Sequence, residues 1–442
     1  MKIINILLIF TLFTNSFSII KLPFRIESNY NQNFDDIILK LVNKKIFIDI
    51  KIGSKKTQLS LPLKLHSYSS FISSSINSNL KINTFNEKES NTYKLINDTI
   101  IKPLLDDYEE GLLSEDDLYL NNNIELKNFN FILSIKQNLN SSGYIGLNLE
   151  KDFSDHELFE NTGFINQLKK LNLINSYSFT FKFLSNDKGE FIIGGDPHEY
   201  DKKNYNSDNL ILINAGKINN YMKWYFDIDN IKVNEDNVEY TTHESAEIQS
   251  EFGLIIGSDY FRLYVWENFF NKNGCNFGTQ GIYDFYYCDK KVNIKNLFKK
   301  LEIYSKDKKI KFIFDNNDLF YEYKGKIYFL IVFTRGNYWT FGQIFLKKYQ
   351  TIFNSDKKVI GWYTNDLNKN NKNNNKKENN KILKIFCIIF LIIIICLILY
   401  IFLFKKNLKL FRRVMINELT DTFESKYDKI DNNSKNKLIN KY

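Results

Sequence analysis

The chain has 442 residues, 43% of them hydrophobic and 16% aromatic, and carries 60 lysines and arginines against 51 aspartates and glutamates, for a formal net charge of +9. That length suits two or three domains and excludes a minimal single-core module. The positive excess is fed by an Asn/Lys-rich stretch and a basic cluster near the C-terminus, so anionic phospholipid head groups, and not nucleic acid, are the partners the charge implies.

In chain order, residues 1–18 (MKIINILLIFTLFTNSFS) place one lysine before an apolar run that ends in small residues, the pattern of a cleaved secretory signal peptide. A signal anchor is the alternative reading. The body that follows has few helix-length amphipathic runs. Segments such as 46–52 (IFIDIKI), 190–195 (EFIIGG) and 327–333 (IYFLIVF) are rich in branched and ring side chains, which pack well on a pleated surface and predict strands. An all-β body is the inference. Sequons at Asn97 (N-D-T) and Asn140 (N-S-S) are candidate glycosylation sites if this body is luminal.

Residues 365–381 form a polar, low-complexity stretch with almost nothing to bury, expected to be a disordered stalk. Residues 382–404 hold an uncharged run, Ile385 to Phe404, matching the ~20 residues that cross a ~30 Å hydrocarbon core as a helix. Lysines and arginines follow at once, as for a stop-transfer segment, and residues 405–442 are then a cytosolic tail. Cys387 and Cys396 lie inside the run, where small apolar packing and S-acylation are the two readings. The signal peptide fixes the direction: a single-pass type I protein of the secretory pathway or cell surface, with its body luminal or extracellular.

Five fragments of the body occur in the order and at roughly the spacing of one family. Residues 339–363 (WTFGQIFLKKYQTIFNSDKKVIGWY), 191–200 (FIIGGDPHEY), 222–233 (MKWYFDIDNIKV), 85–93 (FNEKESNTY) and 143–147 (GYIGL) together resemble the frame of the pepsin-like aspartic proteases, peptidase family A1. The resemblance covers about residues 37–364. It implies a bilobal, all-β acid-protease fold with an N-terminal lobe over 19–197 and a C-terminal lobe over 198–364. It also implies a disulfide between Cys275 and Cys288, near where the family closes a second-lobe loop. Such a bridge contributes roughly 2–4 kcal/mol in the chain-entropy picture.

In that family one aspartate from each lobe meets the other, so that the pair shares a proton and activates a water. Neither aspartate is present here. The first motif falls on residues 50–72, and with Gly53 and Gln58 as anchors the Asp, Thr and Gly positions read Leu65, His66 and Ser67. Sliding the frame by one puts Lys64 at the Asp position. The second motif falls on residues 246–258 and reads Gln249, Ser250 and Glu251. Gln249 keeps the hydrogen-bonding reach of the lost side chain but cannot ionise, and Glu251, two residues on, is a remote catalytic candidate. The Asp that follows Gly in the last family strand is replaced by Gln343.

The flap is altered as well, because no glycine occurs between Gly53 and Gly111 to supply the positive φ values of a tight hairpin. Tyr108 stands near the expected tip among Asp106, Asp107, Glu109 and Glu110, and this stretch reads as a solvated acidic loop. Other chemistries find no support: His66, His156, His198 and His243 lack metal-ligand spacing, and no G-x-S-x-G elbow is present. His66 and Ser67 are adjacent, and neighbours in a strand point to opposite faces. No metal and no cofactor is expected. The sequence therefore predicts a monomeric, membrane-anchored, pepsin-like pseudoprotease that holds a peptide or protein segment in its interlobe cleft through Tyr108, His66, Ser67 and Ser250. An active divergent aspartic endopeptidase and a purely structural surface or endomembrane glycoprotein remain as alternatives.

Overall fold

A computed structural model describes residues 19–28, 36–75, 83–101, 110–121, 124–134, 142–149, 162–218, 221–238, 244–306, 310–364 and 366–367, with scattered positions between 390 and 420. The segment 46–52 shows why the body is built of strands. Within Lys44–Ile52 the side chains of Ile46, Ile48, Ile50 and Ile52 alternate onto one face and are all buried. Burying each such side chain stabilises the fold by roughly 1.5–3 kcal/mol. The run 190–195 lies at the end of the strand Lys188–Ile193. The run 327–333 divides into Lys326–Phe329 and Ile331–Phe333, because the first piece pairs antiparallel with Phe320–Tyr323 and the second runs parallel to Ile255–Gly257.

Among the described residues the strands assemble into two large sheets, of 13 and 12 strands, and a two-stranded one. In the first, Lys44–Ile52 is followed by Thr57–Lys64, Gly143–Gly146, Phe71–Ser73, Ile124–Ser134 and Gly111–Asn121. The last of these also pairs with Lys44–Ile52, closing a ring that forms the first lobe. The second large sheet runs from Tyr225 to Phe341 and forms the second lobe. A set of strands drawn from across the chain extends the first sheet beyond its ring: Ile20–Ser28, Lys188–Ile193, Ser178–Phe183, Ile352–Asn354, Val359–Tyr363 and Leu210–Asn214. Strands from both sides of residue 198 thus share one ladder. Phe179 and Phe353 stack at 5.0 Å across it, and Trp224 packs edge-on against Phe353 at 5.1 Å.

The lobes repeat one unusual pairing pattern. In the first, Thr57–Lys64 runs parallel to Gly143–Gly146, which is antiparallel to Phe71–Ser73, which is parallel to Ile124–Ser134. In the second, Glu244–Ile248 runs parallel to Trp339–Phe341, which is antiparallel to Ile255–Gly257, which is parallel to Ile331–Phe333. Each pattern contains a bulky residue followed by glycine, Ile145-Gly146 and Phe341-Gly342. A Cβ on Gly146 would lie 2.3 Å from the Ser69 carbonyl oxygen, and one on Gly342 would lie 2.1 Å from that of Leu254. Both glycines are required by this close backbone approach.

Cys275 and Cys288 form a disulfide. Beyond residue 368 the chain forms a separate unit. Among the described residues no helix is long and apolar enough to cross a membrane. The apolar run 385–404 lies outside them apart from Phe390, Ile394 and Ile395, as do residues 1–18 and nearly all of 365–381.

Candidate functional site at the lobe junction

The repeated pattern fixes which residues of the two lobes correspond. Leu63 and Lys64 pair with Ile145 and Gly146, while Ile248 pairs with Phe341. Matching Gly146 to Gly342 makes Lys64 the counterpart of Gln249. A second count agrees: Phe71 lies seven residues beyond Lys64 and Ile256 seven beyond Gln249, and these pair with Ile132 and Val332 in equivalent ladders. Leu65 then matches Ser250, and His66 matches Glu251.

This corrects the first-lobe frame. Leu65 is 1% exposed and belongs to the hydrophobic core, and the position facing Gln249 by symmetry is Lys64, the slid frame. The reason is the anchor. Gln58 is exposed on the outer face of its strand and carries no register information, whereas Gly53 occupies the turn, with φ +74°. The equal seven-residue spacing in the two halves is the sequence signal that would have chosen between the frames.

The tips 64–67 and 249–252 meet. Ser250 Oγ donates to the Leu63 carbonyl at 2.6 Å, so the second lobe holds the first by its strand end. The reciprocal bond has no donor, because the counterpart of Ser250 is Leu65. In its place the His66 ring joins Glu251, with Nδ1 and Oε1 2.5 Å apart across 185 residues of sequence. Glu251 is 7% and His66 28% exposed. The other Glu251 oxygen lies 3.1 Å from Ser250 Oγ.

Burial opposes charge on both groups, but their mutual attraction and hydrogen bond prevail. His66 is thereby held above the usual imidazole range and Glu251 below the usual carboxylate range. Lys64 and Glu247 are the further charges felt there: Lys64 disfavours the imidazolium and favours the carboxylate, and Glu247 favours the imidazolium. The Lys64 ammonium sits 3.7 Å from the centre of the Tyr144 ring, a cation–π contact.

Below the tips, Gln343 is fully buried and its Nε2 donates to the Lys44 carbonyl at 2.8 Å and the Ser250 carbonyl at 3.0 Å. Two donors are needed there, and an amide supplies them where a carboxylate has none. Trp224 Nε1 adds a further interlobe bond, donating to the Leu147 carbonyl at 2.8 Å.

Of the other residues singled out in the sequence, Ser67 is buried and its carbonyl accepts from the Asn148 amide at 2.9 Å. Its hydroxyl makes no hydrogen bond to His66 among the described residues. Asn97 is partly exposed on the strand Lys94–Ile101, which pairs with Gly111–Asn121 as a hairpin. The tip of that hairpin, with Tyr108, and the sequon at Asn140 lie outside the described residues. The His66–Glu251 pairing and the role of Gln343 were not legible in the sequence, since both join residues far apart in the chain.

Two all-β lobes with one repeated pairing pattern, meeting through short loops at a shared junction, define the pepsin-like class of aspartyl protease domain. The family model for the eukaryotic aspartyl proteases matches residues 45–364, and the chain belongs to that family. No curated protein matches it.

Proposed function

We propose that this chain is a catalytically silent member of its family, a pseudoprotease that binds extended peptide or protein segments in the cleft between its lobes without cutting them. One observation carries the reading: the counterpart positions at the junction hold Lys64 and Gln249, neither of them a carboxylate. The family's chemistry needs an ionisable carboxylate from each lobe, one to hold a proton and one to take it from water. Here the first-lobe tip supplies the basic groups, Lys64 and His66, and the nearby carboxylates Glu247 and Glu251 both belong to the second lobe. Glu251 is already engaged by His66 and Ser250. A histidine beside a glutamate also suggests a serine-type relay, but no serine hydroxyl is paired with His66 among the described residues.

An interlobe cleft suits capture of an extended chain, with backbone bonds for affinity and side-chain pockets for selection. The same proposal places this body on the luminal or extracellular side, led there by residues 1–18, glycosylated at Asn97 and Asn140, and anchored by 382–404 with a cytosolic tail. Glycosidase sensitivity and protease protection of the tail in sealed vesicles test that arrangement.

The test of silence is incubation of the purified body, residues 19–364, with a diverse peptide library from about pH 3 to 7, a range spanning carboxylate and histidine titration. A statine-type transition-state inhibitor serves as control. Uncut peptides retained on the immobilised protein are the expected result. Cleavage that the inhibitor abolishes would show that two carboxylates do meet, and that the assignment of Lys64 and Gln249 is wrong.

A further inference from the structure

A second candidate site lies in the second lobe and is lined by none of the tip residues. A cavity of about 570 Å³ is lined by Asp259, Arg262, Asp284, Arg335, Gly336 and Asn337, with no apolar side chain among them. Three elements build it: the helix Asp259–Val265, the strand Tyr283–Asp289 and the turn before Trp339. They are tied together by backbone. The Asp259 amide donates to the Gly336 carbonyl at 3.0 Å, the Gly336 amide donates to the Thr334 carbonyl at 2.8 Å, and Asp284 pairs with Phe333 across the ladder.

The hydrogen-bonding balance of the lining is uneven. Arg262 uses Nε on Asp259 at 2.6 Å, and its guanidinium also engages the Tyr286 hydroxyl. The guanidinium of Arg335 and the side-chain amide of Asn337 make no hydrogen bond among the described residues. On the acceptor side, one oxygen of Asp259 takes Arg262 and one oxygen of Asp284 takes the Thr279 hydroxyl at 2.9 Å. The Arg335 guanidinium, the Asn337 amide and the remaining N–H groups of Arg262 therefore present a surplus of donors to one cavity. The residue type sharpens this, because the chain uses lysine for almost every cation. It has five arginines against 55 lysines, and two of the three arginines before the C-terminal apolar run line this cavity. Arginine differs from lysine in offering a planar fork that matches a carboxylate or phosphate in two-point contact.

We infer that this cavity is a binding site for an oxyanion, a carboxylate or phosphate group, gripped by Arg335 and assisted by the remaining N–H groups of Arg262, while Asp259 and Tyr286 hold the Arg262 side chain in place. Asp284 tunes the site: its negative charge keeps Arg262 positioned but opposes the incoming anion. Its test does not depend on whether the cleft binds peptide.

The experiment is calorimetric titration of the full-length chain with inorganic phosphate and, separately, with acetate, at constant ionic strength held by chloride. Saturable binding of one or both is expected, with phosphate alone pointing to phosphorylated ligands and acetate alone to carboxylate ligands. Arg335→Gln, on an exposed turn, should weaken that binding by about tenfold, the loss of one strong contact. Asp284→Asn should tighten it, and a gain cannot come from unfolding. The inference is overturned if wild type binds neither anion saturably, or if Arg335→Gln binds as tightly as wild type.

Discussion

Replacing Glu251 by glutamine tests whether the two lobes are clipped together by charge. In wild type the ring of His66 lies 2.5 Å from Glu251 in a mostly buried setting, where a charge-assisted hydrogen bond contributes about 1.5–3 kcal/mol. The pH window follows from the two directions. His66 is raised in the folded state, so its contribution is complete below the ordinary histidine value and is lost as pH rises through the folded one. Glu251 is lowered, so its contribution is complete above the ordinary glutamate value and is lost as pH falls through the folded one. Both are complete only between about pH 4.5 and 6.5. Glu251→Gln preserves shape and removes the charge, so it should cost about 2 kcal/mol near pH 5.5 and less near pH 9, since the contribution of His66 falls as pH rises through its folded value. Urea unfolding of the full-length chain and the variant at both pH values measures this. An equal cost at the two pH values would refute the charge argument and leave only a packing effect.

The buried amide of Gln343 donates to two carbonyls, so Gln343→Glu should destabilise by about 3 kcal/mol at neutral pH and recover in part on acidification, when the carboxyl regains a proton to donate; urea midpoints from pH 4 to 8 read this. Ser250→Ala removes the bond to the Leu63 carbonyl and should cost about 1 kcal/mol by the same assay, without pH dependence above that of wild type. Opening the Cys275–Cys288 bridge, which closes a separation of 13 residues, by paired Cys→Ala changes should cost about 3 kcal/mol, visible as a lower thermal midpoint; no change would mean that the loop is already ordered without the bridge.

What could be read from the chain follows from how local each signal is. The alternation of Ile46, Ile48, Ile50 and Ile52 is a pattern of period two, and it marks a half-buried strand whatever the tertiary fold. Ile145-Gly146 and Phe341-Gly342 were legible because a close backbone approach admits only glycine, so the demand appears directly in the sequence. The second-lobe tip was legible too, since Ala246 and the hydrophobic residues around it set its register. The first-lobe tip was misread by one residue because Gln58, an outward-facing side chain, was given the weight of a buried one. Nothing local marks His66 as the partner of Glu251. That pairing exists only once two lobes are folded against each other, and a single sequence carries no trace of it. The tip of the hairpin and nearly all of the apolar run 385–404 lie outside the described residues, so the expectations for Tyr108 and for a membrane helix rest on sequence.

On the proposed reading, a frame that lacks its aspartates can persist because the fold and the chemistry make their demands on different atoms. The repeated pairing pattern is held by backbone ladders and by the absence of side chains at Gly146 and Gly342, where an added Cβ would collide with a carbonyl oxygen. The tip residues face one another across the lobes and are constrained only to be compatible as a pair. Two carboxylates there repel and must share a proton, a costly arrangement that protease chemistry requires. An imidazole opposite a carboxylate satisfies the same space with attraction. Leu65 offers no hydroxyl to reciprocate the Ser250 bond, and the ionic contact one residue further on crosslinks the lobes there. A single Lys64→Asp change would then put a carboxylate near Glu251 and compete for the positive charge of His66, without an acid at position 249 to share its proton. Two coupled changes are needed before the junction resembles a dyad, and the His66–Glu251 clip stands in the way of both.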